Sequence, residues 1–315
     1  MGVTREQVVW GYRLFLTREP ESDEVISEKI SACNSLADLR RAFASSMEFQ
    51  NSVTTLSPFD STNVVIKEIG NGVRLFVDLA DTLIGVRIVE GKFELAEREF
   101  ILRTLQPGDV TIDVGANVGY FALLMASKVG PEGHVYAFEP LPRNSALLAQ
   151  SVTENGFADR ITLTRAALAD RGGELELVSP TTSLHWGGAY LRTADEDAFP
   201  SGHEVTRVQV SALDEMALRR PVKFIKIDAE GAELLILRGA SRLLHEDRPV
   251  VLAEISAPQL GLVSRGSPTD MITFMARHGY RCRPVSGPEE IATYTSDAII
   301  NVIFEPQDEI EAQHQ

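Results

Sequence analysis

From Phe93 onward, short unbroken apolar runs take turns with stretches whose apolar residues return every three or four positions. The first pattern predicts buried strands and the second amphipathic helices, so their alternation predicts a doubly wound, largely parallel α/β sheet. Strands are expected at Val110–Val114, His134–Phe138, Ile161–Arg165, Val222–Ile227, Val250–Ile255, Tyr280–Pro284 and Ala298–Phe304. Helices are expected over Leu95–Thr104, Gly119–Lys128, Pro142–Asn155 and Thr269–His278. Between Leu175 and Val210 the rhythm fails, and TTSLHWGGAY and DEDAFPSGHE predict loops and extra strands laid over a site.

The chain begins differently. Thr4 can cap a helix with Val8, Tyr12, Phe15 and Leu16 on one face. Two more short helices follow, with apolar faces at Val25, Ile26 and Ile30, then at Leu36, Leu39, Phe43 and Met47. Residues 1–55 therefore read as a small helical module. Next, the polar SPFDST leads into two β-rich runs around Gly70-Asn71-Gly72, residues that accept positive φ and so predict a hairpin. The division is a linker and hairpin over 56–92, the α/β domain over 93–306 and a polar tail over 307–315.

Composition narrows the function. A chain of 315 residues with 44% hydrophobic content can bury one large core and carry an appendage. Its 45 acidic and 30 basic side chains give a net charge of -15, which repels nucleic-acid backbones and anionic membrane surfaces, so neither is an expected partner. Cys33 and Cys282 stand in no ligand or disulfide pattern, and Arg5, Glu6 and Arg13 interrupt the first apolar stretch. A cytoplasmic protein is expected.

The chemistry starts at VTIDVGANVGYFA, Val110 to Ala122. Asp113 closes a strand, and Gly115 and Gly119 clear space for close backbone approach. The helix beginning near Gly119 is expected to offer free amides. The spacing D-x-G-x-N-x-G lacks the middle glycine of the dinucleotide fingerprint, which disfavours a pyrophosphate ligand and makes a nicotinamide enzyme the weaker alternative. S-adenosylmethionine needs no pyrophosphate cradle. Glu139, ending the second strand, is placed to accept its ribose hydroxyls.

A second cluster is KFIKIDAEGAELLILRGA. Lys226 and Asp228 lie two residues apart at a strand's carboxyl end, on one side, before a helix expected to open at Glu230. Asp228 can accept a hydroxyl proton or orient a substrate, and Lys226 can tune it. Glu233 reads as a first-turn acid favoured by the helix dipole. Asp228 with Glu254 could share a divalent cation, but no dense carboxylate/histidine cluster accompanies them, so a metal is not predicted.

In order and spacing, IDVGANVGYF, VYAFEPLPRN with TENG, VSALDE, FIKIDAEGAELLILRGA and VVLAEIS resemble the FkbM family of S-adenosylmethionine-dependent methyltransferases. The resemblance implies a class I methyltransferase α/β fold: a Rossmann-like sheet of seven strands, the last antiparallel, here preceded by the hairpin and helical bundle. It assigns Asp113, Gly115, Asn117 and Gly119 to the cofactor's methionine side, Glu139 to its ribose, and Ala167 and Leu168 to the neighbourhood of adenine. The implied reaction is methyl transfer to a hydroxyl, on a sugar or glycosylated metabolite or else on a polyketide or peptide-like product. A non-catalytic scaffold that binds the cofactor is the alternative of a different class. In the first fifty residues, YRLFLTREPESDE is similar to a small helical module found beside carbohydrate-modifying enzymes, which suggests a surface for a partner or a second copy.

Methyl transfer from a sulfonium needs alignment and late removal of a proton from a weakly acidic hydroxyl. Asp228 is the first candidate base and His185 the second, since Ser183-Leu184-His185-Trp186 falls in the covering segment. Trp186 and Tyr190 are candidates to stack on a sugar's apolar face.

Overall fold

The structure, a computed structural model, describes residues 2–15, 19–44, 63–181, 187–193 and 201–307. Strands are numbered in chain order: β1 Val64–Gly70, β2 Val73–Asp78, β3 Val110–Val114, β4 His134–Phe138, β5 Ile161–Thr164, β6 Ala167–Leu168, β7 Gly173–Pro180, β8 Tyr190–Arg192, β9 His203–Ser211, β10 Val222–Ile227, β11 Val250–Ile255, β12 Tyr280–Pro284 and β13 Ile300–Pro306. Seven of them form one sheet in the order β12-β13-β11-β10-β3-β4-β5, and only β13 runs against its neighbours. This is the expected class I sheet. The interior strand β3 is buried at all five positions, as a parallel strand covered on both faces must be.

The last strand begins at Ile300, two residues later than expected, because its register is set by pairing of Ile300 with Ile255. Helix Leu95–Thr104 falls where periodicity placed it. By contrast, no helix opens at Glu230: Glu230 (φ 49°) and Gly231 (φ 97°) are left-handed, and the helix is Glu233–Arg238. Two left-handed residues in succession cannot continue into a right-handed turn, so the strand end is joined to the helix by a loop.

The region between Leu175 and Val210 does carry extra strands: β7, β8 and β9 join the preceding β6 in a separate four-stranded sheet of order β6-β9-β7-β8. Hairpin β1–β2 forms at Gly70-Asn71-Gly72, with φ of 124°, 54° and 75°. An isolated two-stranded hairpin is marginal in water. This one buries Val64, Ile69, Val73, Leu75, Phe76 and Val77 in the same apolar cluster as helix Tyr120–Val129 and helix Pro142–Glu154. At about 1.5–3 kcal/mol per fully buried side chain, that packing far exceeds the hairpin's own stability. The Asn155 side chain adds bonds to the backbone N–H (2.8 Å) and C=O (2.6 Å) of Arg74. The hairpin thus shares the core of the α/β domain, and a boundary at residue 92 runs through packed structure.

The first three helices, Arg5–Phe15, Asp23–Ala32 and Leu36–Ala44, bury Val3, Val8, Tyr12, Ile26, Cys33, Leu39 and Phe43 in a core of their own. Tyr12 and Phe43 meet edge to face at 5.0 Å. Leu16 and Met47 lie outside the described residues.

Candidate active site

A cavity of about 330 Å³ opens at the carboxyl edge of the sheet. That volume suits a small-molecule site. Gly115, Asn117, Glu139, Ala167, Leu168, Lys226, Asp228 and Glu254 all line it, so residues from β3, β4, β6, β10 and β11 converge on one space. Asp113 and Gly119 are not on its wall; they lie directly behind it in sequence. Gly119 begins the helix with φ 98° at a point where a Cβ would run into Leu148.

The turn after β3 is tightly self-bonded. Gly115 and Ala116 amides donate to the Phe138 carbonyl (both 3.0 Å), the Asn117 amide to Glu139 Oε2 (2.8 Å), Val118 to Asn117 Oδ1 (2.7 Å) and Gly119 to the Ala116 carbonyl (2.8 Å). The amides of residues 115–119 are therefore consumed within the protein. What the turn offers is a backbone edge without side chains. At Gly115 (φ 75°) a Cβ would collide with the Asp228 carbonyl oxygen. Gly115→Ala is expected to cost about 1–3 kcal/mol of stability and to weaken S-adenosylhomocysteine binding. Urea unfolding and calorimetry check this; an alanine variant unchanged in both would show that the contact is not held in solution.

Glu139 is 4% exposed. Burial raises its pKa to about 7 against the pull of hydrogen bonds from the Leu141 and Asn117 amides and the Asn144 side chain. Its Oε1 accepts from Leu141 N–H at 2.9 Å, and with three donors on its two oxygens the carboxylate keeps one acceptor site for a ligand hydroxyl. Asp113 is 1% exposed, and neither carboxylate oxygen has a hydrogen-bond partner of ordinary geometry. Burial lifts its pKa to about 6, opposed by the Lys226 ammonium. An orphaned buried carboxylate beside a glycine cradle fits a ligand that brings a positive charge, as S-adenosylmethionine does.

Across the strands, Lys226 of β10 sits in register with Asp113 of β3. Lys226 Nζ bonds Asp228 Oδ2 at 3.0 Å and lies 4.8 Å from the centre of the Phe121 ring. Burial alone would lower the lysine's pKa, but Asp228, Glu94 and Asp113 outweigh it and hold the ammonium charged above its ordinary range. Asp228 keeps its other oxygen without a hydrogen bond among the described residues. Glu230, raised to about 8 by burial and by Asp228 and Glu233, accepts from the Gln259 amide.

Glu233 is more than a helix-dipole acid. It is 2% exposed, and its Oε1 accepts from the amides of Ala229 (2.8 Å) and Gly231 (3.2 Å), which fixes the loop carrying Asp228 and Glu230. Glu254 shares the cavity wall with Asp228, and its pKa is raised by burial and by the carboxylates of Asp228, Glu230 and Glu233. Among the described residues no group of three or more His, Cys, Asp or Glu side chains is arranged to hold a metal ion.

The covering elements differ from expectation. Ala189 and Leu191 line the cavity while Tyr190, between them on β8, does not; successive side chains on a strand point to opposite faces. Tyr190 instead packs against the core of the main sheet. His185 and Trp186 lie outside the described residues. Sequence reasoning missed Leu83, Ile84, Ile88 and Glu94, which wall the cavity from the segment following the hairpin. For Glu94 a signal existed: it stands where a helix cap belongs, and glutamate is not among the residues that cap well.

Residues 113–282 match the model of the family described as Methyltransferase FkbM domain. A Streptomyces tacrolimicus protein named 31-O-demethyl-FK506 methyltransferase FkbM is 41% identical over 69 residues, 22% of this chain and 25% of that protein. The protein-L-isoaspartate O-methyltransferase of Hyperthermus butylicus is 36% identical over 66 residues, 19% of this chain and 27% of that protein. The chain spans only 18% to 27% of the length of the curated relatives it matches. Among solved structures, the FkbM methyltransferase of Methylobacillus flagellatus KT aligns over 66% of this chain and 50% of its own, at 17% identity and a TM-score of 0.39. A SAM-dependent O-methyltransferase from Thermotoga maritima aligns over 67% and 65%, at 13% identity and a TM-score of 0.38.

Proposed function

The chain belongs to the FkbM methyltransferase family, whose methyl donor is S-adenosylmethionine, and on that premise we propose that it methylates a hydroxyl of a sugar or glycosylated metabolite. The observation that carries this reading is the Lys226–Asp228 pair standing in the same cavity as Gly115 and Glu139. Bound there, the donor supplies a methyl carbon on a positively charged sulfur. Glu139 is the ribose acceptor, Ala167 and Leu168 flank adenine, and the turn around Gly115 and Asn117 takes the methionine end, with the Asp113 charge behind it. Asp228 accepts the hydroxyl proton through the oxygen that Lys226 leaves unbonded. Lys226 holds that carboxylate in place.

Oxygen as the acceptor agrees with the names of the matched relatives, three protein-L-isoaspartate O-methyltransferases and a 31-O-demethyl-FK506 methyltransferase. A sugar agrees with the wall of carboxylates at Glu94, Asp228, Glu230 and Glu254, which can accept bonds from several hydroxyls at once. A polyketide-like acceptor is favoured by a different observation: Leu83 (52% exposed) is an apolar residue on the cavity wall. The same reading puts the enzyme in the cytoplasm and gives the helical module a docking role. No helix among the described residues is long and apolar enough to cross a membrane.

The test is incubation with methyl-labelled S-adenosylmethionine and a panel of sugars, glycosides and polyketide alcohols, read by mass spectrometry. Label on a sugar hydroxyl is the expected outcome. Label confined to aglycone alcohols moves the reading to the polyketide class. Cofactor binding by calorimetry with no labelled product across the panel favours the scaffold, and binding of NAD alone removes the donor assignment.

A further inference from the structure

Glu94 lies outside the matched stretch of 113–282, and beyond its place in the carboxylate wall no step above uses it. Its backbone is left-handed (φ 39°, ψ 57°), a conformation that costs a non-glycine residue about 1–3 kcal/mol and persists where surrounding packing enforces it. That packing is visible. The preceding Phe93 ring stands edge-on to Tyr120 at 5.3 Å and tilted to Phe121 at 6.1 Å, both in the first turn of the helix after β3. Glu94 occupies the cap position of helix Leu95–Thr104 yet makes no side-chain cap bond. Its carboxylate has no hydrogen-bond partner among the described residues, and the residue lines the cavity.

The charges around it do not balance. One ammonium, Lys226, faces the carboxylates of Asp228, Glu94 and Asp113. Two negative charges are left without a counter-ion in a desolvated site, which is costly unless a ligand cation enters or protons bind. The donor carries such a cation, and connectivity says where. Adenine, ribose and sulfur follow one another along the molecule. With ribose at Glu139 and adenine at Ala167 and Leu168, the sulfur lies on the ribose's far side from adenine, toward Lys226, Asp228 and Glu94.

We propose that Glu94 recognises the sulfonium charge of the methyl donor and thereby makes the site prefer S-adenosylmethionine over the uncharged thioether left after transfer. This rests on the donor placement proposed above. The two ligands differ only by the methyl group and its positive charge, so comparing them isolates the charge. Preference for the charged form would limit inhibition by the spent donor.

Calorimetry on the full chain at pH 8 tests it. Glu94→Gln is expected to weaken S-adenosylmethionine binding about tenfold, the size of one charge–charge contact across a partly buried site, and to leave S-adenosylhomocysteine within about twofold. Glu94→Asn should do the same, since asparagine tolerates the left-handed backbone and guards against a folding defect in the first variant.

A second readout is proton release. Burial, opposed by Lys226 and reinforced by Asp228, Glu97 and Asp113, raises the Glu94 pKa to about 7, and Tyr120 with its neighbour Arg98 also faces it. A cation that favours the ionised form should expel a fraction of a proton near pH 7 when S-adenosylmethionine binds wild type. None of that fraction is expected with S-adenosylhomocysteine, or with either variant relative to wild type. It is measured by repeating the titration in buffers of different ionisation enthalpy.

Equal weakening of both ligands, or an unchanged preference in both variants, overturns the proposal while leaving the donor site standing. Failure of wild type to bind either ligand overturns both.

Discussion

Asp228→Asn is expected to slow methyl transfer by about 10²- to 10⁴-fold, the usual worth of a positioned proton acceptor, with S-adenosylhomocysteine affinity within about threefold of wild type. Asparagine keeps the shape and an acceptor oxygen for the 3.0 Å bond from Lys226, so the floor of the cavity is preserved. What it lacks is the capacity to take a proton. The measurement pairs turnover of the best substrate in the panel with calorimetry on the same preparation. A variant that transfers methyl at wild-type rate would remove Asp228 as the base. One that loses cofactor affinity as well would make it a binding residue.

Lys226→Met should cost about 3–5 kcal/mol at pH 8, because it strands buried carboxylates that shared one counter-ion. The penalty should shrink at pH 5. Native pKa values are raised by burial to about 6 for Asp113 and about 7 for Glu94, above roughly 3.9 and 4.3 in an unfolded chain. A group raised in this way binds more protons folded than unfolded, so its stabilising effect is full below the unfolded value and is lost as pH climbs through the folded one. Wild type should therefore also lose stability between pH 5 and pH 8 in the absence of ligand, and the variant more steeply. Urea titrations across that range decide the cause. Equal destabilisation at both ends would assign the loss to packing of the lysine stem over Phe121 instead of charge.

Much of the fold was legible because its signals are local. An apolar run such as Val110–Val114 has few alternatives to a buried strand, and Gly-Asn-Gly has few alternatives to a tight turn. Glu233 is the first-turn acid its position predicts, but its further work, accepting bonds from Ala229 and Gly231, was not legible because it depends on a left-handed Glu230 that no propensity predicts. The side to which Tyr190 points was not legible either: a strand of three residues gives too little alternation to tell its faces apart. The hairpin itself was legible from its turn, but the packing of its apolar face on two helices of the domain was not, because that contact joins residues far apart in the chain.

The contact between Gly115 and the Asp228 carbonyl has a wider consequence. With the Asp228 amide also bonded to the Val114 carbonyl at 3.0 Å, the turn after β3 and the carboxyl end of β10 pack directly on each other, so the proposed donor cradle and candidate base share one piece of backbone. With the donor placed as proposed, the walls left for the acceptor come from separate stretches, 83–88 and 187–191. Such a division lets a lineage exchange what it methylates by rewriting its walls, while the methyl-donating machinery is inherited intact.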